Sequence, residues 1–127
     1  MAASPLIVIV DDDASMRDAL TSLLRSVGWR TEGFTSAEAF LQSGQVHTTA
    51  CLLLDVQLPG VSGLELQRQL RSRQARMPII FITAHGHEAM RAEAVQAGAV
   101  AFFAKPSDDT ALLEAIHAAL APDRGGP

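Results

Sequence analysis

Five short apolar runs, each followed by a segment with helical spacing, constrain this chain more than any other feature. The runs are Leu6–Val10, Trp29–Phe34, Ala50–Leu54, Pro78–Ile82 and Val100–Ala104. Four are rich in β-branched, leucine or aromatic residues and lack polar alternation, as strands buried on both faces do. The second, with Arg30, Thr31, Glu32 and Gly33, is more polar and suits a sheet edge. Pro78 is tolerated because the first residue of a strand need not donate to the ladder.

Between the runs lie the helices. Met16, Leu20, Leu23, Leu24 and Val27 share one face of a helix from Ala14 to about Val27, and Gly28 stops it. Thr35 and Glu38 have capping-box spacing, with Ser36 as the rival cap, ahead of a short helix through Phe40 and Leu41 that Gly44 ends. Ser62 caps a helix that buries Leu66 and Leu70. His85 to Ala97 forms a helix with a thin apolar face of Ala89, Met90, Ala94 and Ala97. Ser107 or Asp108 caps the last, which turns Leu112, Leu113, Ile116 and Leu120 inward. Residues 1–121 form one domain, and 122–127 are a flexible tail or the start of a linker. Strict alternation of strand and helix with short connections implies a parallel sheet covered on both faces. Right-handed crossovers leave few orders for five strands. The expected fold is an α/β, (βα)5 flavodoxin-like three-layer sandwich with strand order 2-1-3-4-5.

Composition excludes several classes. The 127 residues are 48% hydrophobic and 19% charged, so they support a core. The net charge is −4 with no basic run, which disfavours direct nucleic-acid binding. No apolar run approaches the ~20 residues of a membrane span. The N-terminus lacks the basic region of a signal peptide. Cys51 is the only cysteine and suits a small core position in a reducing compartment, so the expected location is cytoplasmic.

The chemistry sits where the strands end. In an open α/β sheet, ligands bind outside the carboxyl ends of the strands. Those ends carry Asp11 and Asp12, then Asp55 ahead of Pro59-Gly60, then Thr83, then Lys105. Asp13 reads instead as a helix cap. Converging carboxylates at ~4 Å and an effective dielectric of ~20 repel by about 4 kcal/mol per pair. Lys105 supplies one compensating charge, and a hard divalent cation supplies two. Mg²⁺ suits a site with few carboxylates, because it keeps several waters. A cation, an ammonium and a hydroxyl around one carboxylate make a phosphoryl-transfer arrangement.

The chain resembles a response-regulator receiver domain of two-component signalling, in the FixJ-type branch. The matching pieces are Val10-Asp11-Asp12-Asp13, Asp55 to Gly63, Ile82-Thr83-Ala84-His85-Gly86, Ala97-Gly98-Ala99 and Lys105-Pro106. The resemblance implies that Asp55 accepts a phosphoryl group from a histidine kinase or phosphotransfer protein. It implies a Mg²⁺ site made of Asp12, which ligates directly, Asp11, which ligates largely through water, Asp55, and the main-chain carbonyl of Gln57. Thr83, Ala84 and Lys105 would contact the phosphoryl oxygens, and Lys105–Pro106 would be a cis peptide. Thr83 and Phe102 would form the switch that changes the surface of the fourth and fifth helices. Such a domain is not an enzyme with a separate substrate, although it catalyses its own phosphorylation and dephosphorylation. Its partners would be a kinase, an output domain or effector protein, and transiently a second copy of itself, with no membrane. Gln57 and His85 lie two residues after Asp55 and Thr83, where they could tune phosphoryl lifetime by ordering water. Ser107 departs from the branch, whose members usually carry Phe there.

Other readings fit less well. An aspartyl-phosphate hydrolase wants a second acid where Gln57 stands. A flavodoxin wants a hydroxyl- and glycine-rich phosphate loop where three aspartates stand, and these would repel a phosphate. A phosphorylation-independent protein-binding module keeps no need for the acidic cluster.

Overall fold

The computed structural model describes residues 4–83, 88–104 and 108–121. In chain order the elements are β1 (Leu6–Val10), α1 (Ala14–Ser26), β2 (Arg30–Phe34), α2 (Ala37–Gln42), a 3₁₀ turn (Val46–Thr48), β3 (Cys51–Leu54), α3 (Gly63–Ser72), β4 (Ile79–Thr83), α4 (Glu88–Gln96), β5 (Ala101–Ala104) and α5 (Asp109–Leu120). All strand pairs are parallel, and the sheet order is β2-β1-β3-β4-β5. This is the expected flavodoxin-like sandwich.

The two-residue period of the strands divides the core in two. Val8, Val10, Leu52, Leu54 and Phe81 face one side, with Ala37 and Phe40 of α2, Leu66 and Leu70 of α3, and Ala94 of α4. Ile7, Ile9, Leu53, Ile80 and Ile82 face the other, with Leu20 and Leu24 of α1 and Leu112 and Ile116 of α5. Phe102 and Phe103 are adjacent on β5 and so pack on opposite cores. Burying a large aliphatic or aromatic side chain stabilises by about 1.5–3 kcal/mol, and β1, β3 and β4 are buried at every position. β2 lies at the edge, and three of its five residues are exposed.

Local chemistry sets the helix ends. The Asp13 carboxylate accepts from the N–H groups of Ser15 and Met16, so its capping role holds. The Thr35–Glu38 capping box does not form. The Ser36 hydroxyl accepts from Ala39 N–H at 3.1 Å, and the Glu38 carboxylate instead accepts from Val61 N–H at 3.2 Å. A long-range acceptor role outcompetes the local one because Val61 lies in the loop next to α2. The Ser62 hydroxyl accepts from Glu65 N–H and caps α3. Asp108 caps α5. The first turn expected for the fourth helix, from His85, lies outside the described residues. Within α4 only Ala94 is buried and Ala89 is exposed, so its apolar face is narrower than the spacing suggested. The 3₁₀ turn was not expected, because three residues carry too little periodicity to announce it.

Candidate functional site

The ladder places the site residues before their side chains do anything. Val10 pairs with Leu54. One residue further on, Asp55 N–H donates to the Val10 carbonyl at 3.0 Å, and Asp11 N–H donates to the Phe34 carbonyl at 3.1 Å. Both aspartates therefore keep the sheet's backbone bond on one side and leave the strand on the other. Leu54 pairs with Phe81, which puts Thr83, at the end of β4, just past Asp55. Asp11, Asp55 and Thr83 are 3%, 8% and 1% exposed, so the protein buries two carboxyl groups and a hydroxyl at one sheet edge. Asp12 and Gln57 are exposed and open that edge to water.

Each buried carboxylate has one oxygen turned back on its own loop. The Asp11 oxygen accepts from Asp13 N–H at 2.9 Å. The Asp55 oxygen accepts from Gln57 N–H at 3.1 Å. These short-range bonds are characteristic of aspartate at a strand-to-loop turn. They fix side-chain orientation at little entropic cost. Together Asp11, Asp12 and Asp55 each bring one carboxylate oxygen into a group whose members lie within 4.8 Å of one another.

That donor set fits Mg²⁺. It consists of hard oxygens, it is small, and one of its members faces water, as a partly hydrated Mg²⁺ requires. Among the described residues, no thiol or imidazole joins this group. The Cys51 thiol sits at the opposite end of β3 from Asp55 and is pushed up to about 12 by desolvation on burial, so it stays protonated.

Two glycines and an arginine complete the frame. A Cβ on Gly63 would collide with the Asp55 carbonyl oxygen and stand 2.9 Å from Val56 Cα. Gly63 N–H donates to the Val56 carbonyl at 2.9 Å, so the first turn of α3 sits directly on the segment that carries Asp55. The Arg17 guanidinium donates to the Asp11 main-chain carbonyl at 2.7 Å. Its stem crosses β2 at Gly33, where an added Cβ would stand 3.3 Å from Arg17 Cδ. Phe102 is half-buried, with its ring centroid 6.0 Å from that of Phe81.

The structure thus brings together Asp11, Asp12 and Asp55, with Gln57 and Thr83 beside them. Ala84, His85, Lys105 and Pro106 lie outside the described residues, and with them the cis peptide and part of the lifetime-tuning pair. Arg17, Gly33 and Gly63 were not singled out from the sequence for these contacts. Gly63 left one trace, a glycine directly after a helix cap. Gly33 left another, a glycine inside a strand, which commonly marks a close approach.

The chain is similar to known proteins along most of its length. The family model described as "Response regulator receiver domain" matches residues 7–117. Nodulation protein W of Bradyrhizobium diazoefficiens is 48% identical over 119 residues, covering 94% of this chain and 52% of that protein. The transcriptional regulatory protein FixJ of Azorhizobium caulinodans is 42% identical over 112 residues, covering 88% of this chain and 53% of that protein. Among solved structures, the response regulator StyR superposes with a TM-score of 0.86 at 46% identity, over 93% of this chain and 60% of that one. The structure described as FixJ-N gives 0.83 at 37% identity, over 94% and 95%. The chain spans about half the length of the curated relatives it matches.

Proposed function

Since this chain belongs to the response regulator receiver domain family, we propose that Asp55 is its phosphoacceptor and that Mg²⁺-dependent phosphorylation of Asp55 switches the surface of α4 and α5. The observation that carries this reading is the oxygen cluster of Asp11, Asp12 and Asp55, within 4.8 Å, beside the buried Thr83 hydroxyl. Three converging carboxylates repel one another, and a bound cation would offset that repulsion.

The donor is a phosphohistidine of a kinase or phosphotransfer protein. A carboxylate oxygen of Asp55 attacks phosphorus, the phosphorus–nitrogen bond breaks, and the histidine leaves with its electron pair. Bound at Asp11, Asp12, Asp55 and the Gln57 main-chain carbonyl, Mg²⁺ would supply charge neutralisation for the equatorial phosphoryl oxygens. Gln57 N–H holds one Asp55 oxygen and so orients the other. The Thr83 hydroxyl and Lys105 serve the phosphoryl oxygens, with Ala84 N–H as a further donor. The reaction belongs to phosphoryl transfer rather than to metabolism, because the protein's own carboxylate is the acceptor.

The readout runs along β4 and β5. Phe81 pairs with Phe102, and Thr83 pairs with Ala104 two residues on. Movement of Thr83 towards the phosphoryl group empties space on the face that Phe102 borders, and a half-buried ring is free to fill it. Gln57 and His85 set how readily water reaches the aspartyl phosphate. The output is a domain or effector protein that reads the α4–α5 surface, and a phosphorylation-dependent second copy is a further reader.

The test is intact mass after incubation with acetyl phosphate, with Mg²⁺ and with chelator, for wild type and Asp55→Asn. One phosphoryl group is expected on the wild type with Mg²⁺ only, and none on Asp55→Asn. Addition to Asp55→Asn at the wild-type rate would refute the assignment.

A further inference from the structure

We infer that Arg17 is a positioning residue for the acidic cluster, acting through the main chain of Asp11, and that Gly33 is bare so that Arg17 can reach it. The inference rests on the reading of the cluster as a Mg²⁺ and phosphoryl site.

Arg17 is set in place from both ends. Its N–H donates to the Asp13 carbonyl at 3.0 Å, in the first turn of α1. Its guanidinium then doubles back to the Asp11 carbonyl at 2.7 Å. That distance is short for an N–H···O bond and typical of a charge-assisted one. Asp11 is thereby held at three atoms. Its N–H is bonded to the Phe34 carbonyl, its carbonyl to Arg17 and its side chain to Asp13 N–H. The carbonyl of Asp11 belongs to the peptide that continues into Asp12. Holding that plane therefore sets the directions of two of the three carboxylates at once.

The path of Arg17 is specific. Its stem lies across β2 where the strand has no side chain. A Cβ at Gly33 would stand 3.3 Å from Arg17 Cδ and 3.8 Å from Nε, so the stem would have to give by a few tenths of an ångström, and a branched side chain would press on it further. Glycine weakens a strand interior by roughly 0.5–1 kcal/mol relative to alanine. Its backbone here is not in the left-handed region. Among the described residues the tight neighbour is Arg17 Cδ, while the Ile9 carbonyl oxygen at 3.9 Å is at ordinary distance.

Charge and geometry pull in opposite directions at this site, which makes the inference testable. If Arg17 acted only as a nearby cation, removing it would strengthen the field of the carboxylates and tighten Mg²⁺. If it acts by position, removing it loosens Asp11 and Asp12 and weakens Mg²⁺. Gly33→Val separates the two, because it displaces the guanidinium while keeping its charge on the protein.

The experiment is calorimetric titration of MgCl₂ into wild type, Arg17→Gln, Arg17→Lys, Gly33→Val and the double variant Arg17→Gln/Gly33→Val. Urea unfolding in chelator accompanies it. Loss of a partner that orients metal ligands typically costs ~10-fold or more in metal affinity. Weakening of about that size is expected for Arg17→Gln and for Gly33→Val, with no further loss in the double variant and partial rescue in Arg17→Lys. Mg²⁺ binding by Arg17→Gln as tight as wild type, or tighter, would overturn the inference. So would additive losses in the double variant, or lower stability in urea with unchanged Mg²⁺ affinity. Wild-type protein that binds no Mg²⁺ would remove the underlying reading of the site, and this inference with it.

Discussion

Gly63→Ala is a small substitution with a large expected effect. The added methyl would meet the Asp55 carbonyl oxygen head-on and lie 2.9 Å from Val56 Cα and 3.0 Å from the Asp55 carbonyl carbon. All three are backbone atoms of the segment that carries Asp55. They cannot rotate away as a side chain would. Ordinary carbon–carbon contact needs about 3.5 Å or more, so α3 and the β3 end must separate by roughly half an ångström or more. Overpacking of this kind costs about 1–3 kcal/mol. Alanine recovers part of that, up to about 1 kcal/mol of helix propensity. From the middle of the overpacking range, about 2 kcal/mol, the net loss is then about 1–2 kcal/mol. With an unfolding entropy of about 2.1 cal/mol/K per residue over 127 residues, Tm falls by about 4–8 °C. The same displacement moves Asp55, and misplacement of a reacting group by about 1 Å can cost ~100-fold in rate. Gly44→Ala is the control. Gly44 has a φ of +79° and nothing within 4 Å of an added Cβ, so it pays only left-handed strain of roughly 1 kcal/mol. Thermal melts and the rate of phosphorylation by acetyl phosphate are the assays. Both variants should melt earlier, but only Gly63→Ala should phosphorylate slowly. A Gly63→Ala protein with the wild-type rate and Tm would refute the reasoning.

Further outcomes are expected at Asp11 and at Cys51. Within 4.8 Å and at an effective dielectric of ~20, each carboxylate pair repels by at least about 3 kcal/mol. Neighbouring groups and water offset much of this, so Asp11→Asn should stabilise the protein by about 1–2 kcal/mol in urea with chelator. Added Mg²⁺ should raise wild-type stability by about 2.7 kcal/mol at one hundred times its Kd, and Asp11→Asn should gain much less; equal gains would contradict a site at Asp11. Burial raises the Cys51 thiol from 9.0 to about 12, which favours the neutral form in the folded state. The unfolded thiol ionises first as pH rises. Stability from this group is therefore complete below about pH 9 and is lost between about 9 and 12. A thiol-reactive dye at pH 8 should modify Cys51 only in urea, and rapid modification of the folded protein would show that the thiol is accessible.

Much of the fold and of the site is legible in the chain itself. Binary pattern carries the order of elements along the chain, because a run such as Leu52-Leu53-Leu54 has no polar face to leave in water and must be covered twice. The strand-end aspartates were readable for the same reason, since a carboxylate directly after such a run lies outside the sheet. Even the Asp13 cap followed from its place before a helical period. The Thr35–Glu38 box failed because its rule is local and the competing acceptor for Glu38, Val61 N–H, lies twenty-three residues away.

What the sequence determined by itself, then, is which residues stand at the ends of which strands. Periodicity is a property of neighbours along the chain, and it needs no knowledge of the rest. Only the tertiary structure decided how those ends are held. The short approach of Gly63 to Asp55, the path of Arg17 over Gly33 and the reach of Glu38 to Val61 all join segments far apart or turned back on one another. Each depends on distances of a few tenths of an ångström, which close packing sets and a one-dimensional pattern does not contain.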